Sequence, residues 1–184
     1  MRFTIKVSFL TIAAMILALA LGSVVYGANA SRPVTVGATV DNFIAMDPVA
    51  NVNLAPNITG IGGSASGSTI VHVSTNNDLG YSLEATASGA PGSAAMTKGL
   101  DSFADYSGPV IWSIGANESA FGFSVNNTTN YHGFAVGSAV PLYNNNNETA
   151  GEDTTINFKA EVGASHLQAS GNYAANLTIT ATTL

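Results

Sequence analysis

The chain has 184 residues, with five Lys and Arg, eleven Asp and Glu, a net charge of −6 and no Cys. Charged residues make up 9% of it, against roughly 25% in an ordinary soluble domain, yet 46% is apolar, so the scarcity of charge does not describe a disordered chain. The acidic balance excludes a basic nucleic-acid footprint, and the absence of Cys excludes disulfides, thiolate nucleophiles, iron–sulfur clusters and cysteine zinc sites.

In chain order, Arg2 and Lys6 precede an uncharged run from Val7 to Ala30, apolar through Phe9–Leu21 and closing on Ala28-Asn29-Ala30. This is the layout of a secretory signal peptide, a short apolar signal helix removed after Ala30. An uncleaved membrane anchor is the alternative. The expected domains are therefore 1–30, a signal peptide, and 31–184, one β-domain whose basic residues are Arg32, Lys98 and Lys159. Such a surface offers no cationic patch to a membrane.

Beyond residue 30, period-2 alternation dominates. Val34, Val36, Ala38 and Val40 alternate with Thr35, Gly37, Thr39 and Asp41, and predict a first strand. Gly60–Ser68 reads as a loop between strands, or a hinge. Its G-x-G-x-x-A letters lack the following helix that a dinucleotide site needs. Thr69–Ser74 and Tyr81–Thr86 are expected strands around the turn formers Asn76-Asn77-Asp78. Ala94–Lys98 and Leu100–Tyr106 have room for a single helical turn each. Pro109–Ile114 and Ala120–Val125 read as strands, the first largely buried with Trp112 in the core, and Tyr131–Val136 as a further strand. In 155–162, Ile156, Phe158, Ala160 and Val162 face inward and Thr155, Asn157, Lys159 and Glu161 outward. Asn172–Thr182 repeats the design with Tyr173, Ala175, Leu177, Ile179 and Ala181 on its apolar face. Short strands at turn-separated spacing predict an all-β chain, an antiparallel two-sheet β-sandwich.

Chemistry-bearing patterns are sparse. His72, expected mid-strand, His132, and His166, expected in a loop, have no metal-pair spacing, and no Gly-x-Ser-x-Gly elbow occurs. Glu148, Glu152 and Asp153 follow the Asn144–Asn147 run and are expected in a solvated acidic loop, with Ca²⁺ ligation as the alternative. No catalytic, cofactor or metal residues are assigned. Asn57, Asn117, Asn126, Asn127, Asn147 and Asn176 begin Asn-x-Ser/Thr sequons and are candidate glycosylation acceptors. Tyr106, Tyr131 and Tyr143 are candidate glycan-stacking residues.

Two segments carry a resemblance. Thr69–Leu83 (TIVHVSTNNDLGYSL) resembles the strand–turn–strand of secreted sandwich domains in the spore coat U and archaic chaperone–usher pilin group. Ala169–Thr182 (ASGNYAANLTITAT) is similar to their entry into a long closing strand. WxL surface domains are a more distant likeness, with Trp112-Ser113-Ile114 the nearest match. The resemblance implies an immunoglobulin-like, pilin-like sandwich with a structural or adhesive surface role. In that group an N-terminal strand completes a neighbour's sheet, and Val34, Val36, Ala38 and Val40 become a candidate donor strand. The expectation is a secreted, non-enzymatic cell-surface protein, with copies of itself, other surface proteins or glycans as partners. A secreted carbohydrate-binding module is the alternative. Nucleic acid is not an expected partner, and a membrane is one only through an uncleaved N-terminal segment.

Overall fold

A computed structural model describes residues 31–126 and 128–184, so the expected signal peptide and the Asn127 sequon lie outside the described residues. The chain divides between Thr39 and Val40. In the first unit, residues 31–39 form no strand and are exposed, Val34 at 82% and Val36 at 90%. The second unit opens with Val40, also exposed and outside any strand. The first strand expected over Val34–Val40 therefore does not form within this chain.

The second unit is all-β, with no helix among the described residues. Its strands are β1 (Ile44–Met46), β2 (Ile61–Thr75), β3 (Tyr81–Ala87), β4 (Met96–Lys98), β5 (Asp101–Asp105), β6 (Val110–Ile111), β7 (Ser119–Val125), β8 (Asn130–Tyr131), β9 (Ala139–Asn145), β10 (Thr149–Leu167) and β11 (Leu177–Thr183). Six form one sheet in the order β1-β2-β10-β7-β5-β4, three form a second in the order β11-β3-β9, and β6 pairs with β8. All pairings are antiparallel except β5 with β7.

The longest strand, β10, is the spine. Ile156, Phe158, Ala160 and Val162 are buried, while Thr155, Asn157, Lys159 and Glu161 stay partly exposed, as one wet face and one dry face require. Tyr81, Leu83, Ala85 and Ala87 of β3 are also buried, and both sheets contribute to one core. At its centre Phe121, Phe123, Phe134 and Phe158 stack, Phe123 and Phe134 with centroids 4.5 Å apart. Each such ring contributes about 1.5–3 kcal/mol by leaving water.

Several expected elements change. Gly60–Ser68 is no hinge: from Ile61 it is the first half of β2, with Ala65 paired to Ala160 and Ser68 to Asn157. Its small inward residues hid the alternation. The single helical turns expected around Ala94–Lys98 and Leu100–Tyr106 are the hairpin β4–β5, which buries Met96 and Phe103. Gly99, at φ 60°, occupies the turn. The last strand begins at Leu177 rather than Asn172, although Tyr173 and Ala175 still pack on the core.

Pro109–Ile114 keeps only two strand residues, Val110 and Ile111, both exposed. The Tyr106 hydroxyl donates to the Ile111 carbonyl and accepts from the Ser113 amide, so a side chain replaces a ladder partner there. Tyr131–Val136 shrinks to β8, after which the His132 backbone exchanges two bonds with Phe123. The chain then drives Phe134 and Val136 into the core without a ladder.

Candidate functional site

Between the two sheets lies an open, mainly apolar cavity of about 1070 Å³. Ala65, Phe121 and Phe158 line it from the six-stranded sheet, and Ala175, Leu177 and Ile179 from the side of β11. Pro48–Thr59 crosses it as a strap outside any strand. Val49, Val52, Leu54 and Ile58 of the strap pack on the core. Among the described residues its hydrogen bonds are few: Ala55 and Ser66 exchange two backbone bonds at 3.0 and 2.9 Å, and the Ala50 carbonyl accepts from Thr69 Oγ1 at 3.2 Å. Gly67 lets the strap sit so close, because a Cβ there would stand 2.6 Å from Val52 Cγ1. The sequence offered one signal for this strap, the alternation of Val52 and Leu54 with Asn51 and Asn53.

The outer face of the six-stranded sheet carries an aromatic cluster. Trp112, expected in the core, instead lies half-buried there. Tyr106 stacks on it at 4.3 Å, Tyr131 meets it edge-on at 5.0 Å, and Lys159 Nζ lies 4.9 Å from its ring centroid. Trp112 Nε1 donates to Glu161 at 2.7 Å, and Glu161 pairs with Lys159 at 2.8 Å. Gly122 beneath makes room for the indole: a Cβ there would meet the Trp112 ring at 3.2 Å. Of the three candidate glycan-stacking residues, Tyr106 is 8% exposed and presents little ring to solvent, whereas Tyr131 is half-exposed beside Trp112. Tyr143 is elsewhere, on β9.

Tyr143 belongs to a polar knot at the start of β10. Its hydroxyl donates to Glu152 Oε1 at 2.7 Å, Tyr81 donates to Oε2 at 3.5 Å, and Asn145 Nδ2 donates to Oε2 as well. One carboxylate thus ties β10 of the first sheet to β3 and β9 of the second. Burial pushes the Tyr81 hydroxyl pKa above its ordinary value of 10.0, with the Glu152 charge adding to it. The hydrogen bond to Glu152 raises that of Tyr143. The acidic loop expected at Glu152 and Asp153 is therefore strand, and the two carboxylates serve opposite faces. Asp153 accepts from or pairs with His72 Nδ1 at 2.6 Å on the exposed side, which raises the His72 pKa above 6.5.

His166, expected in a loop, lies in β10, 3.1 Å from the Asn117 carbonyl. His132 stacks on Phe123 at 5.5 Å. Among the described residues no group of three or more His, Asp and Glu converges as a cation site. Asn57, Asn117, Asn126, Asn147 and Asn176 are exposed, although Asn126 Oδ1 also accepts from the Thr155 amide at 2.9 Å. Comparison with protein-family models and with curated proteins finds no match.

Proposed function

We propose that the chain is a secreted, non-enzymatic cell-surface protein with a structural or adhesive role, a fibre subunit whose copies join by strand addition. In this reading the two sheets are an immunoglobulin-like sandwich of the pilin kind. The N-terminal segment of one copy enters the apolar cavity of the next. The observation that carries it is the segment holding Val34, Val36, Ala38 and Val40: alternately apolar, exposed, and outside any strand. It has the pattern of a strand and no sheet. The cavity offers a complement, since the strap over it is held by few hydrogen bonds.

Burying Val34, Val36 and Val40 contributes about 5–9 kcal/mol, the same order as fixing so short a backbone. Main-chain hydrogen bonds then decide the balance, which favours a sheet edge over a featureless patch as the acceptor. The test compares the chain from Ser31 with one lacking Ser31–Asp41, by electron microscopy and size-exclusion chromatography. Filaments or oligomers of the first and monomers of the second are expected. Assemblies that persist unchanged after the deletion reject strand addition, and monomers from both chains reject the fibre role.

A further inference from the structure

On the outer face of the six-stranded sheet, three adjacent strands place Ser68, Asn157 and Ser124 in one cross-strand row: Asn157 is paired with Ser68 on one side and Ser124 on the other. Neighbouring strands are about 4.8 Å apart, so the row runs about 10 Å across the sheet. Ser66 extends it along β2. Thr128 and Tyr131 stand at the β7 side, next to the His132–Phe123 bridge. Together they enclose an open trough of about 350 Å³. That is the lower end of the size range of small-ligand sites.

The trough's chemistry is uniform. Its side chains are hydroxyls, one carboxamide and the ring of Tyr131, with no carboxylate or ammonium lining it. Ser124 is 1% exposed and forms the floor of the trough. Tyr131 adds a rigid apolar surface, held edge-on against Trp112. Rigid tyrosine beside Ser and Asn is the combination that recognises polar, uncharged ligands by shape and adaptable hydrogen bonds.

We propose that this trough binds a neutral saccharide, with hydroxyls of the sugar on Ser68, Asn157 and Ser124 and its carbon-bound hydrogens on Tyr131. Trp112 does not stack on the sugar: Tyr106 and Lys159 already occupy it, and it positions Tyr131 instead. The proposal is independent of strand addition and gives the surface role a ligand class.

The probe is an array of neutral hexose and N-acetylhexosamine oligosaccharides beside sialylated and sulfated ones. The best binder is then titrated by NMR against the wild type, Ser68→Val, Asn157→Ala, Tyr131→Ala and Tyr143→Ala. Binding of neutral probes is expected, weakened at least tenfold by Ser68→Val and Asn157→Ala and unchanged by Tyr143→Ala. Tyr131→Ala loosens the Trp112 cluster and is read only beside its melting curve. Ser68→Val lies on an exposed strand position that favours a β-branched residue, so it separates loss of the site from loss of the fold. Retention of acidic glycans alone, no retained glycan, or binding indifferent to both Ser68→Val and Asn157→Ala overturns the proposal.

Discussion

Replacing Glu152 by Ala removes the acceptor of Tyr81, Tyr143 and Asn145 at once. Tyr81 is fully buried, so its hydroxyl loses a charged partner that water does not replace, at about 1–3 kcal/mol. Tyr143 and Asn145 are half-exposed and recover bonds to solvent, which limits each to about 0.5–1 kcal/mol. The expected loss is about 2–5 kcal/mol, read as a lower urea midpoint with an unchanged slope. Because the carboxylate joins the two sheets, Glu152→Gln, which keeps the shape but puts an amide donor among donors, is expected to cost a large part of the same amount. Asp153→Asn on the exposed face is the control, expected within about 0.5 kcal/mol of wild type. A loss below about 0.5 kcal/mol in Glu152→Ala refutes the view that the knot holds the sheets together.

The same knot sets an alkaline limit. Tyr81 and Tyr143 both have raised pKa values in the fold, so the folded state holds their protons more tightly than the unfolded chain. Their contribution is fully present below pH 10 and is lost as pH rises through the raised values. Melting temperatures measured from pH 8 to 12 are expected to fall above 10 in the wild type, and less steeply in Tyr143→Phe. In Gly67→Val the new side chain collides with Val52 and lies close to Leu54. The strap then lifts at about 1–3 kcal/mol, and limited proteolysis is expected to cut within Pro48–Thr59 first. An unchanged cleavage pattern contradicts the close seating of the strap.

The strands with the clearest alternation were the most legible. In 155–162 and in Tyr81–Thr86 one face is large and apolar and the other polar, and both segments are buried and exposed as that pattern dictates. Ile61–Ser68 has the same period, Ser64, Ser66 and Ser68 outward and Ala65 and Gly67 inward, but its inward residues are too small to register as a hydrophobic face. They are small because the strap lies against them, a fact that belongs to residues 49–58 and not to the strand itself. Trp112 misled for a related reason. An apolar run predicts burial, but not in which layer, and here the indole is covered by Tyr106 and Lys159 on the outside of the sheet. The Glu152 knot has no one-dimensional signature, because Tyr81 lies 71 residues away from its acceptor. The Ser68–Asn157–Ser124 row exists only once three strands are in register.

The pairing of β2 with β10 has a bearing on how the polypeptide is made. His72 and Asp153, side by side on these strands, are 81 residues apart in the chain, so the central ladder closes late and belongs to the slow, non-local kind of topology. A chain emerging from its N-terminus presents β2 with the edge that β10 later takes bare until the last quarter of synthesis. Such edges invite pairing with whatever strand arrives first. The serines and glycines that make the first half of β2 so plain also make it a poor nucleus for premature association, which keeps the partner's place open until β10 comes to fill it.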